Sequence, residues 1–133
     1  MKDRAEVNIK IANYLNTNLK LPNIKNKDVR HIIIGRWYYG LFLIAKNYLI
    51  DNKKCIDSPN YFHHKSNEEN SIYSIWHRIG NEVKNFYDDI KQGEMLAILR
   101  ERYEYSGDLC SEDDFNNAER IFNEIYKVFK YEL

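Results

Sequence analysis

Apolar residues recur every three or four positions along most of this chain, and only two prolines, Pro22 and Pro59, interrupt it. Such spacing lines up one side of an α-helix, whereas a half-buried strand alternates with period two. Val7, Ile11 and Leu15 mark a first helix, and Val29, Ile33, Trp37, Leu41, Ile44 and Tyr48 a second. Ile72, Trp76, Ile79, Val83, Phe86 and Ile90 mark a third, and Phe115, Ala118, Phe122, Ile125 and Phe129 the last. A shorter fourth helix is predicted from Glu94 to Tyr105, between Gly93 and the Ser106-Gly107 stop. Asp3 and Asp28 are expected to cap the first two helices, Ser66 with Glu69 the third, and Ser111 with Asp114 the last. The fold expected is all-α, a five-helix antiparallel up-down bundle with the second and third helices longest.

The 133 residues suit one domain, 1–133, around one core. With 20 basic and 20 acidic side chains there is no global basic field, so contact with a nucleic acid must come from a local patch. The prolines sit in polar stretches that read as loops. Cys55 and Cys110 do not make a disulfide framework, and MKDRAEVNIK lacks the apolar core of a signal peptide, so a reducing cytoplasm is the expected location. Arg36 and Lys46 interrupt the longest apolar run, short of the roughly 20 residues of a membrane span, so no membrane association is expected.

Two stretches could carry chemistry. In GRWYYGLFLIAKNYLI, Arg36 precedes Trp37, Tyr38 and Tyr39. Arg36 reads either as a snorkelling side chain paired with a carboxylate or as a grip on phosphate beside rings that stack on a base. Gly35 and Gly40 in the same helix suggest close approach of another backbone, since glycine there costs about 1 kcal/mol relative to alanine. In LRERYEYSGD, Arg100 and Glu104 share a helix face, and Arg102, Tyr103 and Tyr105 crowd beside them. That mixture suits either a polar cap or a binding surface. The His63-His64 doublet has no zinc spacing, and no metal or other cofactor is expected. No phosphate loop, nucleophile elbow or specific carboxylate pair appears.

Together these stretches resemble the HEPN domain, a small all-helical module of prokaryotic toxin–antitoxin and defence loci, fused or paired with nucleotidyltransferases. Its long helix reads Ser-Arg-x-Tyr-Tyr; here Gly35 replaces the serine while Arg36, Tyr38 and Tyr39 match. Arg100 and Tyr105 match a later Arg-x-x-Ala-Asp-Tyr segment, from which Tyr103 and Glu104 depart. SEDDFNNAERIFNEIYKVF is similar to the family's last helix, and the likeness covers residues 5 to 130.

The resemblance implies a homodimer whose ribonuclease members carry an arginine, four to six residues, then a histidine at the intersubunit cleft. None of the seven arginines here has a histidine at that spacing, and after Arg100 and four intervening residues stands Tyr105. A tyrosine, with a reference pKa around 10, replaces an imidazole poorly as a base. The resemblance therefore implies a noncatalytic module that binds RNA, a nucleotide or a nucleotidyltransferase subunit through Arg36, Tyr38, Tyr39, Arg100, Arg102 and Tyr105. Two alternatives stand beside it: a divergent metal-independent ribonuclease toxin with Arg100 or Arg102 stabilising charge and His77 or a loop histidine in proton transfer, and a purely structural bundle in a defence complex.

Overall fold

A computed structural model describes residues 2–18, 25–52 and 62–133, so Pro22, Pro59 and Cys55 lie outside the described residues. The described residues form no strand, only two isolated bridges, His63 with Ser74 and Asn67 with Ile72. Six α-helices follow in order: α1 Lys2–Asn18, α2 Arg30–Asp51, α3 Ile75–Glu82, α4 Tyr87–Lys91, α5 Gly93–Ser106 and α6 Glu112–Glu132. The longest are α2, with 22 residues, and α6, with 21.

The core forms where α2 meets α6. Trp37 stacks on Phe122 at 5.0 Å and on Phe115 at 5.6 Å, and its indole Nε1 donates to Asn13 Oδ1 of α1 at 2.9 Å. A buried tryptophan thus meets its polar requirement without leaving the apolar layer. Contacts fix the directions of the long helices. Ala5 lies against Gly40 and Asn8 against Arg36, so α1 runs opposite to α2. Gln92 meets Glu124 while Tyr103 meets Asp114, so α5 runs opposite to α6.

The α1 stripe differs from expectation. Val7 and Ile11 are 52% and 40% exposed, and the buried face is Ala5, Asn8, Ile9 and Ala12. Small side chains let α1 lie close to α2: a Cβ on Gly40 would stand 2.6 Å from Ile9 Cγ1 and 3.1 Å from the Ala5 carbonyl oxygen. Gly40 is thus a close-approach glycine, while a Cβ on Gly35 would meet nothing within 4 Å.

The third helix is broken rather than long. A 3-10 turn, Glu68–Asn70, and extended residues precede α3, and the backbone leaves the helix at Val83 with φ −123° and ψ 66°. Another 3-10 turn, Lys84–Phe86, then leads into α4. The cap is Ser74, whose hydroxyl accepts from the His77 N–H at 3.1 Å, and Ser66 serves elsewhere. Tyr87 folds back on Gly80, where a Cβ would stand 2.8 Å from its ring. Ser111 caps α6 as expected, accepting from the Asp114 N–H. Asp28 instead accepts from the Lys25 N–H and makes no cap bond to α2, and Asp3 lies within the first turn of α1. Gly107 ends α5 in the left-handed region, φ 76°, where a glycine costs least.

At the start of α5 the Trp76 indole lies directly on Gly93, so that a Cβ there would come within 2.1 Å of the ring. Trp76 is fully buried, and the atoms that a Cβ would overlap belong to its rigid ring system. Gly93→Ala is therefore expected to destabilise the fold by about 1–3 kcal/mol or more, overriding its helix-propensity gain. Gly35→Ala is expected to stabilise it by up to about 1 kcal/mol. Urea unfolding midpoints of the two variants should move in opposite directions.

Candidate functional site

The stretch 62–74 is pinned across α3 and α5. Its Asn67 and Ile72 exchange backbone bonds of 2.8 and 2.9 Å, with Ser71 at φ 56° making the turn, and His63 accepts from the Ile75 N–H at 2.8 Å. The Ser66 hydroxyl donates to Glu94 Oε1 at 2.6 Å while accepting from the Ser74 N–H at 3.0 Å. Lys65 pairs with Glu101 at 2.8 Å. Burial alone would raise the Glu94 pKa, but hydrogen bonds from Ser66 and Ser74 and the charge of Lys91 hold it below the usual carboxylate value. These ties place His64 over α2.

Tyr38 is the centre of the arrangement. It is fully buried, and its hydroxyl is hydrogen-bonded to His64 Nδ1. The Arg100 guanidinium lies over its ring, with Cζ 5.0 Å from the centroid. Trp76 meets the same ring edge-on at 5.6 Å, and its indole N–H is buried without a hydrogen-bond partner. His64 also packs on Phe42 at 4.7 Å. Burial pushes the Tyr38 pKa well up, so the phenol stays protonated. The His64 pKa is lowered, first by burial and then by the positive charge of Arg100, so neutral imidazole predominates near pH 7. Arg100 Nε also pairs with Glu104 at 3.2 Å.

The residues singled out in the sequence do not share one groove. Tyr38 and Arg100 meet. Arg36 faces α1 instead, its Nη1 donating to Asn8 Oδ1 at 2.9 Å, so it resembles the structural reading but with an amide as partner. Tyr39 is partly exposed and stacks on Phe42 at 6.2 Å. Arg102 pairs with Asp114 at 2.9 Å near the start of α6, where the Tyr103 hydroxyl donates to the same carboxylate oxygen. Tyr105 is 75% exposed. His77 has both ring nitrogens engaged, Nδ1 with the Tyr87 hydroxyl at 2.7 Å and Nε2 with the Asn81 amide at 3.1 Å.

The imidazole that shares a partner with Arg100 is His64, which the sequence offers as part of a loop doublet without zinc spacing and, unnamed among the loop histidines, for proton transfer. Its place in a histidine doublet was the available signal. A search for histidines downstream of each arginine passes over it, because it precedes Arg100 in the chain. Among the described residues no group of three or more His, Cys, Asp or Glu side chains converges to hold a metal ion. A groove of about 640 Å³ lies elsewhere, between Glu6 of α1, Ile44 and Tyr48 of α2, and Tyr126 and Phe129 of α6.

No family model, curated protein or solved structure matches this chain.

The folded state holds His64 below its ordinary pKa of 6.5, so the unfolded chain binds the proton more tightly. Its contribution to stability is therefore present above about pH 6.5 and is lost as pH falls through the folded value. A proton NMR titration should give His64 a midpoint below 6.5. Arg100→Ala should raise that midpoint only in part, because burial is the larger cause.

Proposed function

We propose that this chain is a noncatalytic HEPN-like module, an antiparallel helical bundle over residues 1–133, that binds RNA or a nucleotide in a cytoplasmic prokaryotic toxin–antitoxin or defence system. The observation that carries this reading is the contact between Tyr38 and Arg100. One comes from the Arg-x-Tyr-Tyr-like stretch and the other from the Arg-x-x-x-x-Tyr-like stretch, and the fold lays the guanidinium of the second on the ring of the first. An arginine held by a ring face keeps its terminal nitrogens oriented for bidentate contact with phosphate. RNA of either sequence or length class can use such a grip, since every nucleotide offers the same phosphate.

The reading includes a homodimer or pairing with a nucleotidyltransferase subunit. Exposed apolar residues Val7, Ile11 and Tyr14 on α1, with Ile32 and Tyr39 on α2, support a protein contact. A second reading, the divergent metal-independent ribonuclease, is favoured by one specific observation. Arg100 and His64 come from separate segments and touch the same tyrosine, so a cation and an imidazole stand together without the usual motif.

Labelled tRNA and single-stranded RNA, incubated with the protein with and without EDTA, separate the readings. Binding predicts retention that weakens with salt and falls in Arg100→Ala, with a salt slope shallower by about 1, and no cleavage. Arg36→Ala should weaken retention less, because that guanidinium is turned toward Asn8. Cleavage by the unaltered protein that Arg100→Ala abolishes would establish the ribonuclease, and failure to retain either RNA would overturn the binding reading.

A further inference from the structure

The Tyr38–His64 hydrogen bond has a direction that the surroundings decide. Among the described residues the Tyr38 hydroxyl makes its hydrogen bond to His64 Nδ1. The other polar groups against its ring, the Trp76 indole N–H and the Arg100 guanidinium, are donors and cannot accept. If the imidazole donated from Nδ1, the phenolic proton would be left buried with no acceptor, a loss as large as a missing hydrogen bond. If Tyr38 donates, its proton meets the lone pair of His64 Nδ1 and is not left without an acceptor. The phenol proton then sits on the Tyr38–Nδ1 axis, and the neutral imidazole carries its own hydrogen on Nε2.

His64 Nε2 has no hydrogen-bond partner among the described residues and is not among the buried unpaired atoms, so it is not sealed from solvent. The terminal nitrogens of Arg100 likewise have no hydrogen bond among the described residues and are not among the buried unpaired atoms, while its Nε pairs with Glu104. The neighbouring carboxylates are already engaged: Glu94 by Ser66 and Lys91, Glu101 by Lys65, and Glu104 by Arg100 Nε. What the cluster offers outward is a set of N–H donors, one of them cationic. A group that needs an acceptor at Nε2, as a general base does, finds a hydrogen there instead.

We propose that His64 Nε2–H and the Arg100 guanidinium together form a phosphate-binding site, with Tyr38 as the positioning residue that fixes the His64 tautomer. The ligand class is a phosphate oxyanion, supplied by a phosphodiester of single-stranded RNA or by free phosphate. The inference rests on the binding reading given above and adds to it the second donor and its protonation state. It also explains how a histidine can stand beside an arginine in a module that does not cleave RNA. The two donors differ in kind: the guanidinium supplies charge, and the neutral imidazole adds a directed hydrogen bond.

The test combines a tautomer measurement with ligand titrations. Two-dimensional nitrogen-15 NMR of the imidazoles at neutral pH should show His64 protonated at Nε2, and protonation at Nδ1 would overturn the proposal. Titration with inorganic phosphate and, separately, with single-stranded RNA should perturb the His64 Nε2 signal. His64→Ala and Arg100→Ala should each weaken retention of RNA by about tenfold or more. His64→Gln, whose amide can place an N–H near the Nε2 position, should retain most of the affinity. Circular dichroism of each variant separates loss of binding from loss of fold. RNA retained equally by the unaltered protein and by His64→Ala would overturn this site while leaving the binding reading intact. RNA not retained by the unaltered protein would overturn both. A response to RNA alone assigns the site to a phosphodiester, and a response to both ligands assigns it to the phosphate group itself.

Discussion

A phenol taken completely out of water organises the middle of this protein. Tyr38 sits on the long helix α2, and its ring is in contact with the indole of α3, the guanidinium of α5 and the imidazole of the stretch before α3. Burying that ring is favourable, but burying its hydroxyl without a partner is not. The hydroxyl therefore fixes where His64 must be, and His64 fixes the path of the stretch that carries it. The ties made by Ser66 and Lys65 to α5 complete the same demand, because they hold the backbone on either side of the turn. One buried polar atom thus couples three helices and a loop.

The close contacts at the glycines serve the same arrangement. Trp76 reaches the Tyr38 ring only because α5 begins at a residue without a side chain, and Gly93 is that residue. Gly40 does the equivalent for α1, whose alanines bring its backbone near α2. Tight helix approach and large aromatic side chains are opposite solutions to filling space, and this chain uses both on neighbouring faces. The aromatic layer lies between α2 and α6, and the small-residue layer between α1 and α2.

Much of this was legible in the sequence, and the misses have physical causes. The apolar positions of α2 and α6 are large and regularly spaced, so their periodicity reports the buried face directly. In α1 the buried face is built from Ala5, Ile9 and Ala12, which a reading by hydrophobic size passes over in favour of Val7 and Ile11. Small residues pack a close interface precisely as tightly as large ones fill a wide one, but they weigh less in the pattern. In the third region the spacing continued through Ile79, Val83 and Ile90, all of them buried, although the helix itself stops at Val83. Side chains can keep pointing inward across a break, so periodicity alone does not show continuity. The candidate site was half legible: Tyr38 and Arg100 were visible from their composition, while His64 depended on a loop brought back over α2.

The arginines and histidines show why residue type alone does not name a site. Arg36 and Arg100 flank aromatic residues in similar local sequence, yet Arg36 is spent on Asn8 of α1 and stitches two helices together. Arg100 pairs through its Nε with Glu104 and lies over the Tyr38 ring, with no side-chain hydrogen bond among the described residues. The two histidines divide in the same way. His77 has partners on both nitrogens, so a ligand would have to displace Tyr87 or Asn81 to reach it. His64 is hydrogen-bonded through Nδ1, and among the described residues its Nε2 has no partner. Availability after internal pairing, rather than proximity to a helix end or spacing along the chain, is the property that selects His64 and Arg100 from the candidates.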